Sequence, residues 1–120
     1  MSSETPFPSE RDYRVYLEDM LEFCESVLVY TAGHDAKSLS GDAMRLDATL
    51  RKLTLIGEAA IRVPDDIRAL APDIAWRKIV ATRNRLMHAY QGTEMSAVWS
   101  IVSADVPALR VALQVLLQRL

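Results

Sequence analysis

A chain of 120 residues, 50% hydrophobic and 25% charged, has the size and balance of one globular domain with a single core. Its formal net charge of −2 excludes a global pull toward nucleic acid or membrane, so any anion binding has to come from a local basic cluster. A lone cysteine, Cys24, excludes an intrachain disulfide and fits a reducing compartment, and its apolar helical surroundings predict a buried thiol.

Residues 1–8, polar and proline-containing, are expected to be a flexible head, and residues 9–120 a single domain. Ser9 can cap a first helix in which Tyr13, Leu17, Met20, Cys24, Val27 and Leu28 recur at three- and four-residue steps, with Gly33 as its stop. HDAKSLSGD reads as a polar connection. Leu46, Leu50, Leu53, Ile56, Ala60 and Ile61 then mark a second helix that Pro64 ends. Gly57 lies inside it, which fits either close approach by a neighbouring helix or a tolerated defect, since glycine costs about 1 kcal/mol against alanine there.

After a short DDIRALA piece, Asp73 is a plausible N-cap for IAWRKIVATRNRLMH. Gln91-Gly92-Thr93 interrupts this helix, Thr93 can cap MSAVWSIVS, and Asp105 with Pro107 is expected to open a separate last helix. That helix is apolar on much of its surface, so it needs burial on more than one side and a partner subunit is inferred. No apolar run approaches bilayer length, and MSSETPFPSE lacks the apolar core of a signal peptide, so the expected location is cytoplasmic, with no membrane partner. The expected fold class is all-α, an antiparallel up-and-down helical bundle with short extra helices.

The basic cluster lies between Ile74 and Thr93, where Arg77, Lys78, Arg83, Arg85 and His88 occur without a single acidic residue. Within it, RNRLMHAY (83–90) gathers an arginine, a histidine and a tyrosine. Such residues near a helix C-terminus also suit the helix dipole and ordinary packing. At about 100° per residue, Arg83 and Tyr90 share a face, whereas His88 points about 140° from Arg83. Either the helix distorts near His88 or a second copy of the chain completes the site. Elsewhere, His34 reads as a loop histidine, Asp65-Asp66 as helix-start acids, and Ser38 and Ser40 as parts of no triad. No histidine or cysteine stands at metal-ligand spacing, and no glycine-rich phosphate loop is present.

Arg83-Asn84-x-x-x-His88 resembles the Arg-x4-His motif of HEPN domains, and its extension through Ala89-Tyr90 is similar to the motif of the HepT subfamily of HEPN toxins. LIGEAAIRVP (55–64), Trp76 and the Trp99 segment resemble the HepT pattern in the same order, so the likeness covers about residues 11–120. The resemblance implies a HEPN helical bundle and a metal-independent endoribonuclease toxin, active as a homodimer and requiring no cofactor. It also implies a partner, a minimal nucleotidyltransferase (MNT) antitoxin that silences the toxin by transferring AMP to the motif tyrosine. Carried over, Arg83 and His88 would be the catalytic pair, Asn84 a supporting polar group and Tyr90 the modified residue. Arg77, Lys78 and Arg85 would be additional RNA contacts, and Glu58 a structural element that orients the motif helix. The alternative is a catalytically silent module that binds a nucleotide or the partner.

Chemically, RNA supplies its own nucleophile, the 2′-hydroxyl. An imidazole titrating near neutrality suits proton transfer, and a permanently charged guanidinium fork suits the phosphoryl oxygens.

Overall fold

The computed structural model describes the backbone of residues 10–89 and 94–120 and the side chains of 13–87 and 94–120. The expected head, the Ser9 and Thr93 caps, the Gln91-Gly92 break and Tyr90 lie outside the described residues, as does the side chain of His88. The elements are α1 (Glu10–Thr31), α2 (Ala36–Ser40), α3 (Ala43–Ile61), α4 (Asp65–Arg68), α5 (Trp76–Ala89), α6 (Met95–Ser100) and α7 (Val106–Arg119), and no strand occurs among the described residues. The fold is all-α.

The apolar stripe of α1 buries Leu17, Met20, Cys24 and Val27 completely, which is what three- and four-residue spacing does when one face meets a core. Gly33, at φ +77°, takes the left-handed turn that stops α1, as expected. Arg45 adds a cap by donating from Nη1 to the Tyr30 carbonyl at 2.7 Å.

α1 and α3 run antiparallel. Lys52 lies over the Phe23 ring and Arg62 over the Tyr16 ring, so the residue numbers on the two helices rise in opposite directions. α7 is also antiparallel to α1, with Arg14 Nη1 on the Leu117 carbonyl at 3.3 Å and Arg110 3.6 Å from Glu25. α5 packs on α3. Arg119 ties the end of α7 to the Leu70 carbonyl at 3.1 Å.

Three expectations are corrected. HDAKSLSGD holds a one-turn helix, α2, because Asp35 and Ser38 form a reciprocal capping box. The Ser38 amide donates to Asp35 Oδ1 at 2.8 Å and the Asp35 amide to Ser38 Oγ at 2.9 Å. The motif helix begins at Trp76 rather than after Asp73. Tight turns at Ala71–Trp76 bury Ile74 and Trp76, and the Trp76 indole donates to the Ala71 carbonyl at 3.1 Å.

Asp105 and Pro107 do not open a separate helix: Met95–Arg119 runs on as 25 residues through one π-helical turn, Ile101–Asp105, in which the Val106 amide bonds the Ile101 carbonyl. A proline ring clashes with the carbonyl four residues back in an ordinary α-turn and lacks a donor, and a wide turn just before Pro107 accommodates both defects without a break. The fused helix is long and apolar enough, by length and composition, to cross a bilayer, contrary to the run lengths read from two separate helices.

Candidate functional site

The site is built from α3, α5 and the residues joining them. Trp76 anchors the start of α5: its ring is buried, its indole is bonded to Ala71, and the Arg68 guanidinium lies 5.6 Å from the ring centroid. Arg68 is itself held by the Ala60 carbonyl at 2.7 Å and the Val63 carbonyl at 3.1 Å. α5 is thereby fixed to the C-terminal end of α3 before the motif begins.

Seven residues on from Trp76, Arg83 meets α3 at Gly57. A methyl group on Gly57 would overlap Arg83 Cβ outright and stand 2.8 Å from its Cγ and 3.2 Å from the Ile79 carbonyl. Of the two readings of Gly57, close approach is the one realised. The Arg83 side chain is 24% exposed, and its Nη1 donates to Asn84 Oδ1 at 2.9 Å. Nη2 lies 4.0 Å from Glu58 Oε1, while Nε is buried with no hydrogen-bond partner among the described residues. Arg83, Asn84 and Glu58 are therefore brought together.

Glu58, expected only to orient the motif helix, faces the Arg83 guanidinium itself, and the signal for that contact is the glycine beside it. A helix-interior glycine marks where another helix comes closest, and its neighbours then face that helix's side chains.

The other cations are distributed differently. Lys78 Nζ pairs with Asp105 Oδ2 at 3.0 Å across to the π-turn, so a stretch free of acid in the sequence is not free of acid in the fold. Arg77 and Arg85 are exposed, as is Asn84. α5 is regular α-helix through Ala89, so positions 83 and 88 are separated by about 140° around it and no backbone distortion closes that angle.

Between α3, α5 and the last helix lies a cavity of about 290 Å³ walled by Leu53, Ile56, Ile79, Ile101, Leu109 and Ala112, with Lys78 and Asp105 at its edge. Beside it, the outer face of α7 exposes Val111 (56%) and Val115 (42%).

The remaining candidates are structural. His34 Nδ1 sits 3.1 Å from Ser38 Oγ, but that hydroxyl is engaged in the α2 capping box. Asp65 and Asp66 occupy the first turn of α4, as helix-start acids do. Cys24 is buried, and that burial, reinforced by Glu25, pushes its thiol up to about 12. No group of histidine, cysteine and carboxylate side chains able to hold a metal ion occurs among the described residues.

The model of the ribonuclease HepT-like family matches residues 20–116. This chain belongs to that family. It is 34% identical over 101 residues to "Probable ribonuclease HepT" of Thermococcus cleftensis, covering 84% of this chain and 92% of the relative. It is likewise 34% identical over 102 residues to "Putative RNase MJ1380" of Methanocaldococcus jannaschii, covering 85% and 94%. "Putative RNase TTE0752" of Caldanaerobacter subterraneus is 28% identical over 106 residues, covering 88% and 95%. No solved structure matches the chain. The HepT-like stretch contains α3, α5 and the whole Gly57–Arg83 contact.

Proposed function

We propose that this chain is a metal-independent endoribonuclease, the toxin of a HEPN/MNT pair, in which Arg83 and His88 act on one scissile phosphodiester. The observation that carries the reading is the seating of Arg83 against Gly57 within a HepT-like chain, half-buried and oriented by Asn84. In the reaction, the 2′-oxygen attacks phosphorus as an imidazole accepts its proton. The P–O5′ bond breaks, and an imidazolium returns a proton to the departing 5′-oxygen, leaving a 2′,3′-cyclic phosphate and a 5′-hydroxyl. Arg83 stabilises the charge on the equatorial oxygens in the transition state.

A homodimer brings the two motif residues together, because a regular α5 holds positions 83 and 88 on different sides within one chain. The exposed apolar face at Val111 and Val115 is the surface that a second copy covers. Two chains also provide two imidazoles, which permits separate acid and base roles.

Control comes from the partner nucleotidyltransferase. The Tyr90 phenol oxygen attacks the α-phosphorus of ATP and pyrophosphate leaves, so the attached AMP places bulk and negative charge beside Arg83 and excludes RNA.

The deciding experiment incubates the purified protein with single-stranded RNA in EDTA, beside Arg83→Ala, His88→Ala and a DNA strand of the same sequence, which lacks the 2′-hydroxyl. Cleavage of RNA alone, abolished by either substitution, is expected; an intact RNA, or cleavage unchanged in His88→Ala, refutes the proposal. Incubation with the partner and ATP is expected to add the mass of AMP to wild type and not to Tyr90→Phe.

A further inference from the structure

Two consecutive residues of α3 hold Arg83 from its stem to its head. Gly57 offers bare backbone against which Arg83 Cβ and Cγ rest, so the side chain leaves α5 along a groove that any other residue at position 57 would fill. At the far end the guanidinium faces Asn84 Oδ1 at 2.9 Å and Glu58 Oε1 at 4.0 Å. Asn84 is the next residue on the same helix, so its contact sets the fork only relative to α5. Glu58 comes from the opposite helix and sets the fork relative to the rest of the fold.

The length of that contact defines its role. At 4.0 Å it is too long for a hydrogen bond, and a pair with side chains 24% and 41% exposed adds little to stability. It is an electrostatic restraint, loose enough for a phosphate to take over the guanidinium. We propose that Glu58 is a positioning residue for Arg83: its carboxylate holds the guanidinium in one direction while Gly57 seats the stem, and Glu58 itself binds no RNA. The inference rests on the ribonuclease reading above.

Positioning and RNA contact have opposite signatures. A carboxylate beside an RNA site repels the substrate, so its removal should strengthen ground-state binding even as misdirection of Arg83 slows the chemical step. Gly57→Ala disturbs the helix contact itself, so Glu58→Gln, which keeps the size and removes only the charge, carries the test.

Steady-state cleavage of a single-stranded RNA is compared for wild type and Glu58→Gln. The expected result is a kcat reduced by about fivefold to a hundredfold, with KM unchanged or lowered. Tm should stay within about 2 °C of wild type. A kcat within about twofold of wild type, or a loss carried by a raised KM, overturns the inference.

Nitrogen relaxation and hydrogen exchange at the Arg83 Nε–H read positioning without any activity. The signal is expected to be ordered in wild type and to move and become mobile in Glu58→Gln. An unchanged signal overturns the inference. Should wild type itself leave RNA intact, the ribonuclease reading fails alone, and the Nε–H measurement still decides the role of Glu58.

Discussion

Gly57→Ala puts the close approach of α3 and α5 to a quantitative test. In an isolated helix the change would stabilise by about 1 kcal/mol. Here the new methyl overlaps Arg83 Cβ, an atom that no side-chain rotation can move, and presses to 3.2 Å from the Ile79 carbonyl, which is backbone. α5 has to shift bodily, so the upper end of the usual overpacking penalty applies, about 3 kcal/mol. The net expectation is a destabilisation of about 2 kcal/mol, or a Tm lowered by about 6–10 °C for a domain of this size. Urea unfolding followed by circular dichroism measures it, at one fixed protein concentration because self-association would shift the midpoint. Repeating the change in an Arg83→Gly background, which removes the obstructing Cβ, should recover most of that stability. A Gly57→Ala protein as stable as wild type, or more stable, would refute the reasoning.

Burial raises the Cys24 thiol to about 12, against about 9 when unfolded, so between those values the unfolded chain has lost a proton that the folded chain keeps. Stability is therefore expected to fall as pH rises from 9 to 12, with a smaller fall in Cys24→Ala; native alkylation at pH 8.5 should be far slower than in urea, and equal rates would contradict the burial. Val111→Lys with Val115→Lys charges two exposed positions, so sedimentation is expected to show a dimer for wild type and a monomer for the variant while circular dichroism shows an intact fold; the same sedimentation for both would rule this face out. Among the basic residues, Arg77→Gln and Arg85→Gln should each make the dependence of log K on log salt for single-stranded RNA shallower by about 0.7 for each phosphate no longer neutralised. Lys78→Gln should leave that slope alone, since Asp105 already offsets its charge, and equal effects from all three would count against the assignment.

The sequence carried the helices and hid their joints. Three- and four-residue spacing in α1 and α3 is enough to name Leu17, Met20, Cys24, Leu53 and Ile56 as core, because burial of one face imposes that period. The Asp35–Ser38 capping box was in plain view as residue types, yet α2 is one turn long and has no period to detect. Pro107 read as a boundary because local rules treat proline as a breaker; the π-turn that absorbs it is a property of the whole helix packed on α1, which local propensity does not encode. At the site, the motif spacing named Arg83 and Asn84 as candidates and the resemblance gave Glu58 an orienting role, but that the Glu58 carboxylate faces the Arg83 guanidinium depends on helix pairing, which the glycine beside it marks.

The setting of Arg83 balances two costs. A fully exposed arginine has to give up about 2 kcal/mol of side-chain freedom when a phosphate arrives. A fully buried one bears a desolvation penalty of several kcal/mol that a single distant carboxylate does not offset. With its stem on Gly57 and Nε buried, Arg83 has already given up most of that freedom, while the side chain as a whole stays 24% exposed. The same packing fixes what the rest of a site can be. Positions 83 and 88 stand about 140° apart around a regular α5, so in the proposed mechanism the imidazole that acts with Arg83 comes from a second copy of the chain. An uncovered apolar face on the neighbouring last helix is where a second copy has most to gain by docking.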